Sequence, residues 1–216
     1  MRLQLRHLLA ADLALCPPLH AQVPADTLSR RHLASGISIA LPASWEPLSD
    51  SLQALIDRTR DTVFEHSPDS LIQRSLKRGR VITLLHERAP GVLDPSASFN
   101  VAPSPGTTPS TFNSLTAAQV ATGLAFLCGS MRDGLGRMGA RVVSCDPAVI
   151  DHAAGRTVAI TRFVRSGAAG LVSAWLVQFP DNDVIYTLTL SAPQAAESRY
   201  EPLFRRIWRS VAIPGP

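Results

Sequence analysis

Alternation of apolar and polar positions is clearest late in the chain. Leu171, Ser173, Trp175, Val177 and Phe179 fall on one side of an extended segment, and Val172, Ala174, Leu176 and Gln178 on the other. That is the period-two pattern of a strand. Both sides are largely apolar, which predicts a sheet covered by helices on both faces. Strands are predicted likewise over 36–41, 80–86, 98–101, 140–145, 156–165 and 183–191. Pro180-Asp181-Asn182-Asp183 reads as the turn joining two antiparallel strands.

A period near 3.6 marks the helices. Leu52, Leu55, Ile56, Thr59, Val63 and Phe64 predict a helix over 50–65, and a shorter one is expected over 69–78. The longest runs over 114–137, with Ser114 as its N-cap and a buried stripe of Ala118, Ala121, Leu124, Ala125, Cys128, Met131 and Leu135. A last helix covers 195–210, where Tyr200, Leu203, Phe204, Ile207, Trp208 and Val211 share one arc. Between the second strand and the long helix, residues 88–113 are rich in Pro, Ser, Thr and Gly and read as a long loop around the short strand 98–101. No internal repeat or second domain boundary interrupts this order.

The first residues follow another logic. Arg2 and Arg6 precede a short apolar run from Leu8 to Leu15, broken by Asp12, and Leu19-His20-Ala21 offers a small residue before Gln22. This is the layout of a signal peptide over 1–21, followed by a polar lead-in over 22–33. A lipid anchor on Cys16 fits less well, because Leu15 is large where a small residue is expected. The expected location is periplasmic or secreted, with no transmembrane span in the mature chain. Cleavage would remove Cys16 and leave Cys128 and Cys145. An even pair in an exported chain predicts a disulfide; two buried thiols are the alternative. About ten helical residues and about five strand residues around the glycine turn span ~15 Å and ~17 Å, which brings the two sulfurs to similar heights.

The 216 residues are 45% hydrophobic and 18% charged, which excludes a disordered chain. The formal net charge is +4, and every basic residue except Lys77 is arginine. The arginines are spread along the chain without interleaved aromatics, so nucleic acid is not expected as a partner.

The order of elements, the run Gly36-Ile37-Ser38-Ile39-Ala40-Leu41-Pro42-Ala43-Ser44-Trp45 and the closing Tyr200-x-x-Leu203-Phe204-x-x-Ile207-x-x-Ser210 resemble the PsbP-like fold. Photosystem II extrinsic PsbP and bacterial DcrB-like envelope proteins share that fold. The resemblance covers about residues 34–213. It implies a single α+β domain, an antiparallel sheet flanked by helices on both faces, with a non-enzymatic accessory, assembly or binding role.

Candidate chemistry is sparse. Gly134-Leu135-Gly136-Arg137-Met138-Gly139 matches G-x-G-x-x-G but follows a helix and precedes a strand, so it presents carbonyls where a pyrophosphate needs N–H groups. It reads as a helix cap and turn. His32, His66, His86 and His152 are isolated, and no metal or cofactor is expected. Asp151-His152 is the strongest acid–base pair, without a nucleophile signature beside it, so no catalytic residue is assigned. Arg199, Arg205, Arg206 and Arg209 lie opposite the apolar arc of the last helix. They are the candidate binding residues for an acidic protein or anionic envelope component; a solvated helix face is the plainer reading. The expected function is an exported, non-catalytic accessory, assembly or binding protein of the bacterial envelope. The rival is a hydrolase with a site assembled from distant residues near the 88–113 loop.

Overall fold

In the computed structural model, placed strands extend the alternating runs by a few residues. The structure describes residues 27–33, 36–47, 58, 80–87, 95–137, 139–153, 155–167 and 170–214. The strands are β1 (Leu28–His32), β2 (Ser38–Pro42), β3 (Trp45–Pro47), β4 (Arg80–Glu87), β5 (Ser96–Pro103), β6 (Val142–Cys145), β7 (Val149–Ala153), β8 (Arg156–Gly167), β9 (Gly170–Asp181) and β10 (Val184–Pro193). Among the described residues two helices are traced along their length, α1 (Ala117–Arg137) and α2 (Glu197–Arg209). The helices expected over 50–65 and 69–78 lie outside the described residues, Arg58 apart, as do the leader 1–21 and residues 88–94 of the Pro-rich segment.

Eight strands form one antiparallel sheet in the order β3-β4-β5-β10-β9-β8-β6, and β7 pairs with β8 beside β6. β1 and β2 make a separate two-stranded ribbon, so the polar lead-in carries a strand. The predicted turn joins β9 to β10, with Asp183 at φ 56°. Its carboxylate and backbone bind the loop after β5. The Gly106 N–H donates to Asp183 Oδ1 at 2.8 Å, and the Asp183 N–H donates to the Thr107 carbonyl at 2.8 Å.

The main core lies between the sheet and α2. Trp175, Val177 and Phe179 of β9, Leu188 and Leu190 of β10, Val158 and Ile160 of β8, and Ile37, Ile39, Leu41 and Trp45 join the helix residues Tyr200, Leu203, Phe204, Ile207 and Trp208. Each such burial contributes about 1.5–3 kcal/mol before entropy is counted. The two short motifs prove to be fastenings. Trp45 is 1% exposed, and its carbonyl accepts from Arg31 Nη2 at 2.7 Å. The Ser210 hydroxyl donates to the Ile207 carbonyl at 2.6 Å and accepts from the Ala40 N–H at 2.8 Å, tying the end of α2 to β2.

α1 departs from expectation at both its start and its stripe. Ser114 sits in a short 3₁₀ turn instead of capping the helix. The cap is Thr116, whose hydroxyl accepts from the Gln119 N–H while Gln119 Oε1 accepts from the Thr116 N–H at 2.8 Å, a reciprocal capping box. Of the predicted stripe Cys128 is buried, Leu124, Met131 and Leu135 are half-buried, and Ala118, Ala121 and Ala125 are exposed. The glycine-rich run ends the helix as expected. Gly139 takes φ 76°, its N–H donates to the Gly136 carbonyl, and the Ala140 N–H donates to the Leu135 carbonyl. This is the paired bonding of a Schellman cap. α1 meets the sheet at β6, where the sulfurs of Cys128 and Cys145 lie 1.96 Å apart, at disulfide distance.

Candidate functional site

A groove of about 500 Å³ opens between the β7 edge and α2. One wall is Asp146 and Pro147 at the β6–β7 corner with Val149 and Asp151 of β7. The floor is Ile160 and Arg162 of β8 with Trp175 of β9, and Arg205 of α2 closes the other side. The corner is held in place by the Asp146 N–H, which donates to the Arg162 carbonyl at 2.8 Å. No described residue of the 88–113 segment lines the groove.

Arg162 is the residue that makes this place unusual. It continues the register of Val158 and Ile160, so its stem lies on the core side of β8. Its guanidinium stacks 3.9 Å from the centre of the Trp175 ring, and that of Arg205 lies 5.3 Å from the same centre. Both cations converge on one oxygen. Glu201 Oε1 accepts from Arg162 Nη2 at 3.1 Å, from Arg205 Nη2 at 2.7 Å and from Arg205 Nε at 3.2 Å. The hydrogen bond from Arg205 does most to hold the Glu201 carboxyl below its usual range, with Arg162 adding to it against the opposing effect of burial. Two guanidiniums thus share one carboxylate over an aromatic floor, and each keeps further N–H groups.

The four arginines singled out in the sequence separate. Arg205 turns into the groove. Arg209 reaches across to Asp151 Oδ2 at 3.5 Å and covers the Trp208 ring. Arg199 is exposed and lies over the Tyr200 ring, and Arg206 is exposed. Position along the helix explains the split: Glu201, Arg205 and Arg209 recur every four residues on the flank toward β7 and β8.

Asp151 and His152 sit on β7, a strand where a polar loop was the simpler expectation, and they project to opposite sides of it. Asp151 Oδ1 accepts the His152 backbone N–H at 2.7 Å, so the carboxylate does not orient the imidazole. His152 Nδ1 instead lies 3.2 Å from the Thr157 hydroxyl, which also bonds Asn113. Among the described residues no group of three His, Cys, Asp or Glu side chains converges as a metal site. Sequence reasoning missed Asp146, Arg162, Trp175 and Glu201. Arg162 did leave a signal, as a charge in mid-strand between the apolar Val158, Ile160 and Val164 of one register.

The arrangement of strands and helices is the PsbP-like fold. Its likeness extends to the cyanobacterial PsbP (CyanoP) of Synechocystis sp. PCC 6803, at TM-score 0.52 and 12% identity over 89% of this chain and 95% of that one. LpqN, involved in cell envelope biogenesis of Mycobacterium tuberculosis, is similar at TM-score 0.42 and 11% identity over 88% of this chain and 91% of that one. No protein-family model matches the chain, and no curated protein matches its sequence.

Proposed function

We propose that the protein is an exported, non-catalytic accessory or binding protein of the bacterial envelope, periplasmic or secreted. The observation that carries the binding role is the charged groove. Its two guanidiniums are held by Glu201 and Trp175 in a fixed arrangement, suited to recognition and not to proton transfer. Export is supported by the leader pattern over 1–21 and by the Cys128–Cys145 pair at disulfide distance, which suits an oxidising compartment. In this reading helices cover both faces of the sheet. The burial of Ala159, Thr161, Phe163 and Ala174, on the side away from α2, supports that cover.

The test has two arms. Capture from the native envelope with the mature protein is expected to recover a stable partner. A screen for esterase, peptidase and glycosidase turnover is expected to stay at background. Robust turnover abolished by Asp151→Ala or His152→Ala would replace this reading with the hydrolase.

A further inference from the structure

We infer that the groove between β7 and α2 docks a peptide segment of a protein partner, one bearing an acidic and a basic side chain on either side of an apolar residue. The inference deepens the binding role proposed above and rests on it.

The charges lining the groove are opposite in sign and sit on opposite walls. On one wall, Asp151 is already committed to Arg209 and to the His152 N–H. The neighbouring Asp146 is exposed, and its carboxylate has no partner among the described residues. Across from it, Arg162 on the floor and Arg205 on the other wall together meet a single oxygen of Glu201, which leaves guanidinium N–H groups free to donate. The apolar lining is Pro147 and Val149 beside Asp146, and Ile160 on the floor, with Val149 60% exposed.

This pattern selects by repulsion as well as attraction. A doubly acidic segment, or an anionic surface, meets Asp146. A doubly basic segment meets the two arginines. A segment with one charge of each sign satisfies both walls and lays its apolar residue on Val149. The exposed rim at Pro147 and Val149 leaves the groove open at the sheet edge, so a chain can pass through it. A small ligand is ordinarily enclosed over most of its surface, which this groove does not provide.

The experiment is an amide chemical-shift titration of the full chain with three blocked tripeptides: glutamate–leucine–lysine, glutamate–leucine–glutamate and lysine–leucine–lysine. The mixed-charge peptide is expected to shift the amides of Asp146, Val149, Asp151 and Arg162 and to bind about fivefold tighter than either like-charged peptide. Asp146→Lys should move the preference to the doubly acidic peptide, and Asp146→Asn should abolish the preference for lysine at the basic position. Arg205→Gln should weaken the mixed peptide, while Arg206→Gln should not. Equal binding of all three peptides, no localised shifts, or an unchanged preference in Asp146→Lys would overturn the inference. Recovery of an envelope partner by the mature protein alongside such a failure would place the fault in the groove and leave the accessory role standing.

Discussion

Helices α1 and α2 are attached to the same sheet by different means. α2 has 13 residues and sinks five side chains into the core, with Ile207 and Trp208 at 0% exposure. Its end is stitched to β2 through Ser210. α1 is longer, at 21 residues, yet Cys128 is its one buried side chain among those described, and Phe126 is 75% exposed. Length does not measure a helix's contribution to stability. A short helix with a full apolar arc is part of the core, whereas a long one with a shallow contact depends on local bonds: a capping box, a Schellman cap and the sulfur pair.

The sharpest way to break the contrast is to hollow out α2. Trp208→Ala is expected to cost about 3–5 kcal/mol of unfolding free energy in a denaturant titration, because the surrounding core cannot refill the space. A loss under about 1 kcal/mol would show that α2 is not integral to the core. Next in size is the covalent tether of α1. Non-reducing peptide mapping should recover Cys128 and Cys145 in one linked peptide. Cys128→Ser should lower stability by about 3 kcal/mol for a separation of 17 residues, on the chain-entropy account. Hydrogen exchange in that variant should quicken across α1 while α2 keeps its protection.

A smaller effect belongs to the flank of α2 that faces the groove. The Glu201 carboxyl is held below its usual range, so its ionised form is favoured by folding. That contribution is present at pH above the unfolded value of about 4.3 and is lost as pH falls through the folded value. With a third of the side chain exposed, it amounts to no more than about 1 kcal/mol. Glu201→Gln should therefore lower stability slightly at pH 7 and flatten the acid limb of the stability profile. The smallest change is expected on α1. Phe126→Ser should leave stability within about 0.5 kcal/mol, since a side chain already in water loses little.

The sequence made the core legible wherever one period dominated. β8, β9, β10 and α2 stand where alternation and the helical arc placed them, each within a few residues, because burial imposes those periods directly. β1 and β7 were missed for the converse reason. Leu28-Ser29-Arg30-Arg31-His32 pairs on one side alone and keeps polar side chains, so its pattern is that of a polar segment. Val149-Ile150-Asp151-His152-Ala153 follows a proline and carries an acid and a histidine, yet pairs fully with β8. At α1 the signal was present and misassigned: Thr116 followed three residues later by Gln119 is a stronger cap than Ser114. The groove was legible only in part. Arg205 and Arg209 drew attention as a charged stripe, and Glu201 lies four residues before Arg205 on the same helix, but Arg162 of β8 and Asp151 of β7 reach them only through the folded sheet.

The two bonds of the Asp151 carboxylate have a consequence for crowding. The His152 N–H points away from β8, on the side of β7 where no strand pairs among the described residues and where a stray extended chain would otherwise add itself as another strand. One oxygen of Asp151 occupies that donor and the other faces Arg209, so a fixed charge sits where foreign backbone would have to approach. Asp151→Ala, which frees that donor and removes the charge, is expected to show as concentration-dependent clumping of otherwise native molecules in light scattering.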